Sequence, residues 1–160
     1  MWNSLLPFFQ WSDNLWIGHA IGGTTWAFPL IETIHILALA MMYAAMIVID
    51  LRLLGMGMKK QSVSVLARSL EPYMDWGLIV MLATGFLLFT SEAMKSFAND
   101  GFRIKMVVLV PAVLFQYTLF RWVIHQDDAR RSAPVGWAVS LISLTLWLGV
   151  GIGGRAIGFV

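Results

Sequence analysis

The chain has 160 residues, of which 59% are hydrophobic and 12% are charged. A soluble domain carries about 25% charged residues, so this composition indicates one integral membrane domain. The formal net charge is only +2, and no basic face interleaved with aromatic residues is present, which argues against a nucleic-acid partner. There is no cysteine, which excludes disulfides, thiolate nucleophiles, iron–sulfur clusters and covalent haem attachment.

The first 21 residues combine aromatic and polar side chains, as is typical of a helix lying at the membrane surface. We predict an amphipathic anchor helix here, followed by a hinge at residues 22–25. Four apolar runs then occupy roughly 27–54, 73–91, 104–124 and 134–157. Each is close to the about 20 residues that a helix needs to cross a bilayer. The predicted fold is therefore all-α, a four-helix transmembrane bundle with an interfacial N-terminal helix.

The distribution of Lys and Arg predicts the orientation, because cytoplasmic loops hold the excess. One side of the predicted bundle carries the larger group: Arg52, Lys59, Lys60, Arg68, Arg121, Arg130 and Arg131. The other side carries the smaller group: Lys95, Arg103, Lys105 and Arg155. Both termini are therefore expected on the periplasmic side of a bacterial inner membrane.

The first span has one polar face. The residues within an arc of about 100° at helical spacing are Phe28, Glu32, His35, Leu39, Met42, Tyr43, Met46 and Asp50. Ionisable groups inside a membrane span usually face a bundle interior or water, so we expect this stripe to turn inward and to carry the function. The opposite face is apolar and is expected to meet lipid or a neighbouring subunit: Ile34, Ala38, Met41, Ala45 and Val48.

Glu32 and His35 place a carboxylate beside an imidazole, at the spacing used by carboxylate-bridged metal sites in helix bundles. No second copy of this pair exists, which disfavours a di-iron site. Met42 and Met46 extend the same face, and thioethers with an imidazole suit copper. One hypothesis is thus a copper site formed by these four residues. The alternative is that Glu32 only hydrogen-bonds His35 near the interface while the methionines fill the core.

A single b-type haem is the second cofactor hypothesis, since such a haem is held by axial side chains between helices. Only three histidines are present, and His125 lies at the far end of the third span, so two stacked haems with paired histidines are excluded. The ligands would be His35 with His19, or His35 with a methionine. Arg155 or Lys105 would meet the propionates. His19 has the alternative role of a headgroup-level residue in the anchor.

The fourth span has a face of small residues with one tryptophan, which predicts close helix packing: Ser140, Ser143, Trp147, Gly151 and Gly154. Arg155 is expected at the depth of Glu32 and would pair with it.

The remaining polar residues suggest structural roles. A second cluster, read as structural, is expected at the other membrane face: Asp50, Asp75, Arg121 and Arg68. Gln116 or Tyr117, midway along the third span, is expected to face the polar stripe of the first.

Three segments carry a resemblance to a known group of proteins: Glu32–Leu39, Asp50–Gly55 and Gly154–Phe159. Together they resemble an uncharacterised family of small bacterial inner-membrane proteins over most of the chain. This resemblance implies a four-helix membrane protein with a motif at Glu32, His35, Asp50, Arg52 and Arg155, and it brings no activity with it. More distantly, the early histidine is similar to copper-resistance D-type proteins and four-helix b-type cytochromes, although the histidine pairs of those cytochromes are missing.

The leading functional hypothesis is therefore a membrane protein that binds copper or haem b around His35 and Glu32, for metal handling or electron transfer. A second hypothesis is a proton-linked channel or transporter lined by Glu32, His35 and Asp50. A third is a structural subunit of a larger membrane complex. Lipid-facing glycines and alanines also suggest a homo-oligomer. No nucleophile pair or nucleotide loop is present from which to name a reaction.

Overall fold

A computed structural model describes residues 2–57, 60–127 and 132–158. In these ranges four helical segments are long and apolar enough to cross a membrane. They are α3 (Ala27–Leu53), α4 (Val63–Ser91), the segment Asp100–Ile124, and α8 (Ala133–Ala156). The third segment consists of α6 (Asp100–Phe115), a π-helical turn (Gln116–Phe120) and α7 (Arg121–Ile124). The predicted all-α four-helix bundle is confirmed, and the chain is a multi-pass membrane protein.

Short helices occupy the end of the bundle at which both chain termini lie, here called the terminal end. They are a 3-10 turn (Trp2–Leu5), α1 (Leu6–Asp13), α2 (Trp16–Gly22) and α5 (Ala93–Ala98). The opposite end, where α3 leads towards α4 and α7 towards α8, is called the loop end. The predicted anchor helix is thus two helices rather than one.

The bounds of the spans agree with the predicted runs except in α4. This helix begins at Val63, ten residues before the predicted Tyr73, and the Ser62 side chain caps it by accepting from the backbone N–H of Val65. Its first turns carry Arg68 and Glu71 among apolar residues, so a search for uninterrupted apolar runs could not find them. Four residues named in the predictions lie outside the described ranges, namely Lys59, Arg130, Arg131 and Phe159.

Two helix pairs form the bundle, because α3 packs along α4 and α6 packs along α8, while α3 also contacts α8. Glycines permit both close contacts. A Cβ on Gly77 would lie 2.8 Å from the Cβ of Met42, and one on Gly153 would lie 3.1 Å from the Cα of Lys105. The expectation that this face of α3 meets lipid is therefore wrong for Ala38 and Ala45, which are buried inside the bundle.

The N-terminal helices pack against α4 and α5 through aromatic rings. The Phe9 ring is buried, and its centroid lies 5.2 Å from those of Phe89 and Phe97. Gly18 sits directly on the α4 backbone, where an added Cβ would lie 2.2 Å from the carbonyl oxygen of Thr90. The anchor segment is therefore docked onto the bundle and forms part of its terminal end.

Candidate functional site

A cavity of about 570 Å³ opens between the two helix pairs at the terminal end. This volume is within the range of about 300–1,000 Å³ that is usual for pockets holding small molecules and cofactors. Its charged and imidazole lining comes from α3, α6, α8 and the residue that follows α4: Glu32, His35, Glu92, Lys105 and Arg155. Its apolar lining includes Phe28, Ile36, Leu39, Met81, Phe89, Phe102 and Val150. The cavity therefore suits a molecule with a large apolar part and charged groups.

His35 is held in one orientation by Thr84 on the neighbouring helix. The Thr84 hydroxyl donates to the backbone carbonyl of Val80 at 2.6 Å, so its oxygen is left to accept from His35 Nδ1, 2.9 Å away. This arrangement favours the tautomer that carries its proton on Nδ1 and leaves the lone pair on Nε2. A fixed tautomer of this kind is what a histidine ligand to a metal requires.

Lys105 lies along the glycine surface of α8. Carbon atoms of its side chain would contact a Cβ placed on Gly153 or Gly154, and Nζ would lie 3.6 Å from the latter. Lys105 lines the cavity and is only partly exposed, and the described part of the chain gives its ammonium group no ion-pair partner. An anionic group in the cavity would supply the missing partner.

The exposed rim of the cavity carries both signs of charge. Glu32 and Arg155, predicted to pair, line the same opening, and both are exposed. Glu92 is also on the rim, where its Oε1 forms an ion pair with Lys95 Nζ at 2.5 Å. Charged groups of the rim are thus reachable from water or from the headgroup region.

The other proposed cofactor ligands lie elsewhere. His19 is exposed on α2 and does not line the cavity. Met42 and Met46 are buried in the hydrophobic core between the helices, whereas the methionine that reaches the cavity is Met81. In the described residues, no three His, Asp or Glu side chains are grouped closely enough to hold a metal ion.

Comparison with known proteins places this chain in a family. The model of a family of unknown function, DUF6644, matches residues 8–160. The chain belongs to that family. No curated protein and no solved structure matches it, so nothing supports the distant likeness to copper-resistance D-type proteins or b-type cytochromes.

Asp50, the last polar residue of the α3 stripe, is fully buried at 0% exposure in this DUF6644 member. Its Oδ2 accepts from the Ser143 hydroxyl at 2.9 Å, and its backbone carbonyl accepts from the Ser140 hydroxyl at 3.0 Å. Its Oδ1 has no hydrogen-bond partner among the residues that the structure describes. The predicted small-residue face of α8 therefore packs against the stripe and also supplies hydroxyl groups to it.

A second polar contact between α8 and its neighbours lies midway through the bundle. Tyr43 donates to the backbone carbonyl of Trp147, whose indole N–H donates to Gln116 Oε1 at 3.3 Å. Gln116 begins the π-helical turn and is buried, so of the two predicted candidates it is the one that joins helices in the core. An indole N–H donates but cannot accept, and a proton relay cannot pass through it.

The loop end holds a separate ionic cluster. Arg121 donates to Asp75 Oδ2 at 2.6 Å and lies 3.7 Å from Glu71, which also contacts His125 Nε2 at 2.9 Å. Tyr117 donates to Asp75 at 2.9 Å. The predicted pairing of Asp75 with Arg121 is present here, whereas two other residues expected in this cluster, Asp50 and Arg68, are respectively buried in the core and exposed.

Arg52, a motif residue of the resemblance, lies near the loop end. Its Nε donates to the backbone carbonyl of Gln61 at 2.8 Å, which ties the end of α3 to the segment before α4. This contact suits a structural role for the residue.

Sequence reasoning missed three residues that matter to these sites. Thr84 was overlooked because a lone threonine in an apolar run usually bonds its own helix backbone. Glu71 and Glu92 were overlooked because they lie outside the centre of the predicted runs. The one available signal for Thr84 was its placement among the residues of α4 that face α3, and this signal needs the helix register.

Proposed function

We propose that this protein binds one b-type haem in the cavity at the terminal end, with His35 as an axial ligand. The observation that carries the proposal is the His35–Thr84 hydrogen bond, which leaves Nε2 free in a cavity of cofactor size. A haem is a flat apolar ring with two carboxylates, and the cavity lining combines apolar side chains with cationic ones. Lys105 and Arg155 would meet the carboxylates, while the apolar lining would meet the ring.

Haem is favoured over copper by the position of the thioether groups. Met42 and Met46 are packed in the core, which leaves Met81 as the one described methionine that lines the cavity, so a copper ion beside His35 would have few suitable ligands. Haem brings four ring nitrogens of its own and needs only an axial side chain. A proton-linked transporter is less well supported, since the side-chain contact at mid-bundle, from Trp147 to Gln116, uses an indole N–H that donates but cannot accept.

In this proposal the protein lies in a bacterial inner membrane with both termini periplasmic, so the haem would sit near the outer membrane face. A haem at that depth serves electron transfer or haem handling at the periplasmic side. When bound, the haem supplies the one-electron chemistry, and His35 sets its position and tunes its potential.

The test is to purify the full chain in detergent and measure its absorbance before and after titration with haem. We expect a Soret band that saturates at one haem per chain. His35→Ala should lose this stoichiometric band, because the axial ligand is gone. His19→Ala is the matched control, since His19 is exposed and outside the cavity, and it should bind haem as the wild type does.

Two results would overturn the assignment. One is stoichiometric copper by elemental analysis in a protein that takes up no haem. The other is equal haem binding by wild type and His35→Ala, which would remove the ligand role of His35 whatever cofactor is present.

A further inference from the structure

Asp50 is a carboxylate that the haem site does not use. Its side chain is fully buried between α3 and α8, and within the described ranges Oδ1 has no hydrogen-bond partner. No Lys, Arg or His of the described residues forms an ion pair with it. An uncompensated buried carboxylate and an unpaired buried oxygen are both costly, so this group needs a partner.

The two serines beside Asp50 have oxygen lone pairs to offer. The Ser143 hydroxyl donates to Asp50 Oδ2, and the Ser140 hydroxyl donates to the Asp50 backbone carbonyl. Both hydroxyl oxygens therefore remain available as acceptors. The site thus holds a negative charge and several neutral oxygens, the ligand type that hard cations prefer.

We propose that Asp50, Ser140 and Ser143 form a binding site for one small monovalent cation of the Na⁺ class between α3 and α8. One positive charge balances the single carboxylate, whereas a divalent ion would leave an excess charge buried in the bundle. The cation would coordinate Oδ1 and so satisfy the atom that the protein leaves unpaired.

A proton is the competing partner. On Oδ1 it would need one of the two serine oxygens as its acceptor, whereas a cation could use the lone pairs of Oδ1 and of the serine oxygens together. A cation on Oδ1 leaves both serine hydrogen bonds in place.

Thermal unfolding of the full chain in detergent tests the site. The midpoint is measured in NaCl and in choline chloride at equal ionic strength, so that screening of surface charges is constant. We expect the midpoint to rise with Na⁺ and then to follow the logarithm of its concentration, as mass action requires for a ligand of the folded state. Asp50→Asn should abolish this response.

Matched variants separate the site from general salt effects. Ser143→Ala should weaken the Na⁺ response, whereas Thr145→Ala should leave it unchanged, because the Thr145 hydroxyl is exposed and bonds only its own helix at Leu141. Ser143→Ala also serves if Asp50→Asn does not fold.

Equal stabilisation by Na⁺ and choline would overturn the proposal. So would a midpoint that responds to acidification through Asp50 but not to Na⁺, since that result identifies a proton as the partner. Neither result depends on haem, so the failure of this site and the failure of the haem proposal are distinguishable.

Discussion

The two ends of the bundle treat their charged residues in opposite ways. At the loop end Arg121 lies between Asp75 and Glu71, and Glu71 also contacts His125, so each of these groups has a partner within the cluster. At the terminal end, Lys105 has no ion-pair partner among the described residues, and His35 keeps Nε2 free beside an open cavity. A cluster that satisfies its own charges needs no ligand, whereas polar groups left unsatisfied around a cavity indicate that one binds there.

The largest effect is expected from Thr84→Val, which keeps the shape of the side chain and removes the acceptor for His35 Nδ1. The imidazole then loses its fixed tautomer and orientation. Removing the hydrogen-bond partner of a metal-ligating histidine usually lowers metal affinity by about 10–100-fold. We expect a loss of haem affinity in that range, measured by Soret titration.

Thr118→Val is the matched control for that variant. The Thr118 hydroxyl is exposed and bonds its own helix at Leu114, at 2.6 Å, much as Thr84 bonds Val80. It should leave haem affinity unchanged. A Thr84→Val protein that binds haem as the wild type does would show that the imidazole is positioned by something other than this hydroxyl.

The fold was largely predictable from the sequence because membrane spans are read from apolar length alone. Three of the four predicted spans begin and end within a few residues of the helices. The start of α4 was not predictable in this way, since Arg68 and Glu71 interrupt the apolar residues of its first turns and the Ser62 cap is the local signal that marks its beginning. The docking of α2 also needed coordinates, because the contact of Gly18 with Thr90 joins residues 72 positions apart.

The site was predictable from one helix and not from its partners. The polar stripe of α3 could be found by helical spacing, and it does turn towards α8, where Ser143 meets Asp50. Which residues of α4 and α6 face that stripe depends on helix rotation, which a run of apolar residues leaves undetermined. The role of Thr84 therefore came only from the packing, whereas Lys105 was a candidate from the sequence and the packing added its position along α8.

A smaller effect is expected from Lys105→Met, which removes the unpaired ammonium and keeps the length of the side chain. A hydrogen bond to a charged group contributes about 1.5–3 kcal/mol, and because Lys105 is partly exposed we expect the lower end, a loss of roughly tenfold in haem affinity. The midpoint of thermal unfolding without haem should stay the same or rise, since Lys105 has no partner to lose.

Lys95→Met provides the comparison for that variant. Lys95 is 79% exposed and pairs with Glu92, so its loss should change neither haem affinity nor stability measurably. A Lys105→Met protein that is destabilised without haem would mean that the ammonium is already satisfied within the protein, and the contrast between the two ends would be lost.

The smallest effect is expected from Asp75→Asn at the loop end, and it should change stability and not haem affinity. The variant weakens a self-contained pair, so stability should fall while haem affinity is unchanged. The Arg121 and Asp75 side chains are 31% and 38% exposed, which limits the loss to about 1 kcal/mol, measurable as a lower unfolding midpoint.

Asp100→Asn is the control, because Asp100 is 72% exposed in its pair with Arg103 and its substitution should lower stability less. A loss of haem affinity in Asp75→Asn would instead show that the two ends are coupled, since the cluster lies at the other side of the bundle.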